Sequence, residues 1–342
     1  MNKRQSNIEL LRLIAMLLVL IVHANLMPTA SELTDSPFTS FWKIFIDELS
    51  CVCVNVFILI SGWFGIKPTY KGLLNIIFQS IFCSLIVVSI ALMLGFDGNY
   101  IYEYIKSFVI GENYWFVSSY IVLYICAPIL NAFIEHIERR SIIYFLIFFF
   151  IVQTYFDTIL SIGGFGDGCS PLSFFGLYLL ARFINRYPTA LLNGHWHTDL
   201  LKYVGVSLIS TLIIIGALLS KSDWIIGNIQ YRFLKYSNPL IIIAALYLML
   251  AFTKIKIKNS ATIQYLSISC FSIYLLHCHP LIFSKYKNFM YSIYSAYDGL
   301  LCIIIWVCGI FAIALSCILI DKIRLLLWNK IVKFIPQKNL IS

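Results

Sequence analysis

"NIELLRLIAMLLVLIVHANLM", residues 7–27, has the length and apolarity of a membrane helix. Yet it holds an arginine, Arg12, and a histidine, His23, with only apolar residues between them. A spanning helix needs about 20 mostly apolar residues, and the chain offers the pattern repeatedly. After the first stretch at 8–27, others lie at 41–63, 73–95, 114–134, 141–160, 170–187, 201–220, 237–253, 261–283 and 299–320. The expectation is an all-α polytopic membrane protein with about ten transmembrane helices. Composition points the same way: 60% of the 342 residues are hydrophobic and 12% charged, which excludes an ordinary soluble enzyme. The first stretch is no cleavable signal peptide, because it is a full span with no small-residue cleavage site behind it.

Charge sets the orientation. Lys3, Arg4, Lys67, Lys71, Arg139, Arg140, Arg182, Arg186, Lys254, Lys256, Lys258 and Lys322 fall on the side shared by both termini, whereas Glu32, Asp35, Asp157, Asp167 and Asp223 fall toward the other. Basic loops are retained in the cytoplasm, so both termini are predicted cytoplasmic. The net charge of +9 then reads as a basic face against anionic membrane lipids, with no nucleic-acid motif to suggest another partner. Of the ten cysteines only Cys169 lies outside the predicted spans; the rest act as small hydrophobes, so no disulfide framework is expected.

A single membrane domain over 1–342 is expected, with no appended soluble domain. Its longest polar segments, 96–113, 186–200, 221–236 and the tyrosine-rich 284–298, read as loops. No repeat of the transporter type joins the two halves.

Arg12 and His23 are eleven residues apart, about three helical turns, so they share one face about 16 Å apart along the axis. Each is costly in a bilayer and normally faces a partner or a cavity. Glu9 lies three residues before Arg12 on that face and can pair with it. Arg12 alone therefore reads either as a residue snorkelling to the headgroups with Glu9 or as a phosphate contact. His23 reads either as a hydrogen-bonded interfacial histidine or as a base taking a proton from a hydroxyl.

Several motifs follow in order. "IELLRLIAMLLVLIVHAN" (8–25) resembles the opening signature of membrane acyltransferase family 3, with an Arg, ten residues and a His in the first span. "VNVFILISGWFG" (54–65), "YWFVSSYIVLYICAPIL" (114–130), "SPLSFFGLYLLARFI" (170–184) and "FSIYLLHCHPLI" (271–282) resemble the family's later elements in sequence order. The resemblance implies an O-acetyltransferase type of enzyme in a bacterial plasma (inner) membrane. It would move an acyl group, usually acetyl, from cytoplasmic acyl-CoA to a hydroxyl of a surface or lipid-linked polysaccharide. Acetyl-CoA would be a co-substrate, with no bound cofactor. Carried over by position, His23 is the catalytic base and Arg12 a donor contact. Many members carry Arg-x-x-Arg after the second span; Lys67 and Lys71 in "IKPTYKG" (66–72) stand there instead as the donor-binding candidates.

Other features keep two readings. Ser61 and Gly62 in "SGW" suit close backbone approach to a donor or helix packing through small residues. Trp115 is a tunnel residue or an interfacial anchor. His277 lines the active site or makes a structural hydrogen bond; on one helix it lies about 200° from His279, so a metal shared by the two is not expected. "HWH" (195–197) lacks further ligands, and "GGFGDG" (163–168) lacks the lysine of a phosphate loop and reads as a flexible turn. No serine sits in a Gly-x-Ser-x-Gly elbow, which favours direct transfer. The rival class is a multi-pass transporter or flippase of lipid-linked glycan, with Arg12 and His23 as pathway residues; a membrane sensor without turnover is a third.

Overall fold

The computed structural model describes residues 5–24, 27–95, 102, 114–297 and 299–335. The expected loop at 96–113, Tyr102 apart, lies outside them. The helices in chain order are α1 (Ser6–His23), α2 (Ala30–Asp35), α3 (Pro37–Ser50), α4 (Cys53–Phe64), α5 (Tyr70–Met93), α6 (Trp115–His136), α7 (Arg139–Gln153), α8 (Pro171–Arg186), α9 (Trp196–Leu219), α10 (Asp223–Phe233), α11 (Pro239–Lys254), α12 (Ala261–Ser267), α13 (Phe271–His277), α14 (Pro280–Ala296) and α15 (Gly299–Ile331). No sheet forms among the described residues.

Among the described residues seven helical segments are long and apolar enough to cross a membrane, with α3 and α4 counted together as Pro37–Phe64 and α7 extended to Ile159, or up to eight if the pair Ala261–His277 and Pro280–Ala296 is one bent span. The stretches expected at 170–187 and 237–253 do fold, as the 16-residue helices α8 and α11. At 1.5 Å per residue each is about 24 Å long, short of a hydrocarbon core of about 30 Å. The stretch at 41–63 is broken at Cys51 and Val52 into α3 and α4.

Two expectations are corrected. The stretch at 261–283 is no single helix, because α12, α13 and α14 divide it and the chain bends by 92° between His277 and Pro280. The expected loops at 221–236 and 284–298 are largely helical, as α10 and α14. In α14 the reason is spacing: Tyr286, Met290 and Ile293 are all buried, and their intervals of four and three residues put them on one face.

Local signals explain the starts. Ser170, Asn238 and His279 each precede a proline, and their side chains accept from Ser173 N, Leu240 N and Leu281 N respectively. A capping acceptor followed by proline at the first helical position satisfies one orphan N–H and removes another.

The chain forms two compact units. The first comprises Met1–Val22, Leu26–Ile66 and Cys126–Asn259, the second His23–Asn25, Lys67–Ile125 and Ser260–Ser342. In the first, α9 packs on α3 and α11, and α4 packs on α8 and α11. Gly62 allows the α4–α8 approach: a Cβ there would lie 2.3 Å from the Tyr178 carbonyl oxygen. In a bilayer such close fit drives association, since lipid tails compete with any apolar face. In the second unit α13 packs on α5 and α15, and α14 on α15. Leu300, Ile303, Phe311, Leu315 and Leu319 leave much of α15 apolar and exposed, as a lipid-facing helix requires. Its polar end at 321–331 stays helical where the expected span stopped at 320. There Arg324 Nε and Nη2 donate to Asp321 at 2.7 and 3.0 Å, Gln79 donates to Asp321 at 2.9 Å, and Arg324 Nη1 donates to Asn75 at 2.8 Å.

Candidate active site

His23 is the last residue of α1 and His277 the last residue of α13. In the second unit the two rings meet: His23 Nδ1 lies 2.9 Å from His277 Nε2, with ring centroids 5.1 Å apart. Cys278 Sγ is 3.4 Å from the first nitrogen and 3.2 Å from the second. Phe283 stands edge-on to His23 at 5.2 Å, and the Lys287 ammonium lies 4.7 Å over that phenyl ring.

The bend after His277 is fixed by side chains. Tyr114 Oη donates to the Leu275 carbonyl oxygen at 2.8 Å, and Ser272 Oγ donates to the Cys317 carbonyl oxygen at 2.9 Å. His279 caps α14 by accepting from Leu281 N at Nδ1, which leaves Nε2–H to donate to Ser84 Oγ at 3.3 Å. His277 and His279 therefore do not lie 200° apart on one helix: the helix ends between them and they serve separate bonds. His277 and Tyr286 also line an apolar cavity of about 320 Å³, with Ile86, Leu276, Phe289 and Ile313 among its walls.

His23, His277 and Cys278 offer a metal-type donor set, with ligand atoms within 4.8 Å of one another. Their spacing is that of hydrogen bonds. Tetrahedral zinc with bonds of about 2.0 Å to N and about 2.3 Å to S holds N···N near ~3.3 Å and N···S near ~3.5 Å. The observed 2.9, 3.4 and 3.2 Å are all shorter.

The remaining expected site residues lie on other elements. Arg12 Nη1 donates to Glu9 Oε1 at 2.6 Å in the first unit, with Glu9 buried and Arg12 partly exposed. Its other guanidinium N–H groups have no partner among the described residues. Ser61 Oγ donates back to the Phe57 carbonyl oxygen at 3.0 Å, and Gly62 serves helix packing. Trp115 is half-buried beside Phe116 at the start of α6. Lys67 is exposed, and Lys71 is half-buried in the first turn of α5. "GGFGDG" is a tied turn rather than a flexible one, because Asp167 pairs with the buried Lys235 at 2.9 Å and its N–H donates to Asp157 at 3.1 Å.

Sequence reasoning missed Cys278, Phe283 and Lys287. The first reads as one more apolar cysteine, and the others fall at or beyond the end of an expected span. It also took Arg182 only as a topological charge; its guanidinium lies against Gly65 at the end of α4, 2.9 Å from where a Cβ would be.

The described residues thus form a polytopic helical protein with a bonded pair of imidazoles held at two helix ends. A family model described as an acyltransferase domain matches residues 5–322. The chain therefore belongs to membrane acyltransferase family 3 and is a membrane acyltransferase. No curated protein and no solved structure matches it significantly.

Proposed function

We propose that the protein is an O-acetyltransferase, moving an acetyl or other acyl group from cytoplasmic acyl-CoA to a hydroxyl of a surface or lipid-linked polysaccharide in a bacterial plasma membrane. The observation that carries this is His23 itself. Its ring is fixed through Nδ1, while its Nε2 has no hydrogen bond among the described residues.

The reaction needs a base and an anion contact. His23 takes the acceptor hydroxyl proton as the oxygen attacks the thioester carbonyl. The C–S bond then breaks, and the departing thiolate takes a proton from His23 to leave as the CoA thiol. The end of α1 favours the transient imidazolium, because unpaired carbonyls there carry partial negative charge. Arg12, one edge on Glu9 and the rest open, suits a donor phosphate, with Lys67 and Lys71 as further cations.

The test uses purified full-length protein in nanodiscs with acetyl-CoA and a glycan extract. Wild type is expected to release CoA thiol and add ester acetyl to the glycan. His23→Ala is expected to lose at least about 100-fold in rate. An unchanged rate would overturn the assignment of the base, and glycan movement without thiol release would overturn acyl transfer.

A further inference from the structure

We infer that His277 is a positioning residue, which holds His23 in the tautomer whose Nε2 is bare. The inference rests on the reading of His23 as base and says how that base is prepared.

The donors and acceptors form a chain with one neutral arrangement in which the 2.9 Å contact between the rings is a hydrogen bond. His277 Nδ1 is bonded to the carbonyl oxygen of Ile273, one turn earlier in α13. A carbonyl oxygen only accepts, so the Nδ1 of His277 carries the hydrogen. In a neutral ring its Nε2 is then an acceptor. The atom facing that lone pair at 2.9 Å is His23 Nδ1, so this nitrogen donates. His23, neutral in turn, is left with a lone pair on Nε2. The alternative, a proton on both nitrogens of His277, places an unpaired cation on a ring that is 2% exposed, at a cost the neutral chain avoids.

The arrangement parallels the rule for histidine that the bond made by one nitrogen decides the role of the other. Here a backbone carbonyl orders the first ring and the first ring orders the second. Cys278 closes the side of the pair, its Sγ within reach of both bonded nitrogens. When Nε2 of His23 takes a proton, the cation spreads toward Nδ1–H, and the bond to His277 strengthens with no exchange of donor and acceptor. His277 itself need not touch substrate.

Two variants and one spectrum test this. The full chain, labelled with ¹⁵N-histidine in nanodiscs, has six histidines, assignable by single substitutions. Nitrogen shifts distinguish protonated from bare ring nitrogens, and His23 is expected as Nδ1–H with bare Nε2. His277→Phe fills the space without an acceptor: His23 is expected to shift toward Nε2–H, and kcat to fall about 10- to 100-fold with KM for acetyl-CoA unchanged. His277→Gln keeps an acceptor oxygen near the lost Nε2 and is expected to retain the tautomer and most of the rate. A His23 found as Nε2–H in the wild type overturns the proposal. So do Phe and Gln variants equally impaired, or tight binding of one zinc per chain by the metal-free protein when zinc alone is added. If the wild type releases no CoA thiol with any acceptor, the acyl-transfer reading fails, while the spectrum still decides the tautomer.

Discussion

Gly62→Ala tests whether α4 and α8 meet backbone to backbone. The added methyl would lie 2.3 Å from the Tyr178 carbonyl oxygen, 2.9 Å from its Cα and 3.0 Å from the Ala181 Cβ. Two of these atoms are backbone, so no side chain can rotate away, and α8 must retreat by about 1 Å to restore ordinary contact. Overpacking of this kind costs about 1–3 kcal/mol. The same retreat strains Tyr178 Oη, which accepts from Ile66 N and donates to Asn131 Oδ1, each at 2.8 Å; each bond is worth about 1 kcal/mol. A loss near 3 kcal/mol lowers the midpoint of thermal unfolding by about 5 °C or more for a chain of this size. Unfolding in nanodiscs, followed by tryptophan fluorescence, measures it. Gly205→Ala is the control, since nothing lies within 4 Å of a Cβ there, and replacing a helical glycine is expected to be neutral or to add up to about 1 kcal/mol. A Gly62→Ala protein as stable as wild type would refute the close-packing argument.

Two further changes probe polar groups. Asp321→Ala leaves Arg324, 1% exposed, without its two-pronged partner and is expected to cost about 3–5 kcal/mol; Asp321→Leu with Arg324→Met should recover most of it, and a harmless single variant would contradict the burial of the pair. Arg12→Lys keeps the charge but removes the guanidinium edges left open beside Glu9, so acetyl-CoA affinity measured by calorimetry is expected to fall about tenfold. Unchanged affinity would remove Arg12 from the donor site.

The helical, membrane-embedded class was legible because apolar length is a one-dimensional property. The bend after His277 was not: "FSIYLLHCHPLI" is apolar throughout, and only the capping role of His279 before Pro280 turns the chain there. The tyrosines beyond it looked like a polar loop, although Tyr286, Met290 and Ile293 carry a helical period. His23 was visible as an anomaly within its helix. Its partner was not, because His277 lies 254 residues away and one sequence contains no record of which distant residues touch. The two lysines at 67 and 71 were legible as cations and no more. Arg182 shows why: charge counting records its sign, whereas its place against Gly65 depends on the packing of α4 on α8.

The same separation of 254 residues orders events during synthesis. His23 enters the membrane with the first helix, long before the ribosome reaches His277, and through that interval its ring has no neighbour to fix which nitrogen carries the proton. If His23 is the base, it is prepared only after most of the protein has been made. A nascent or prematurely terminated chain would hold the histidine without its partner, so on the proposed reading the long separation between the two rings keeps unfinished copies from spending acyl-CoA.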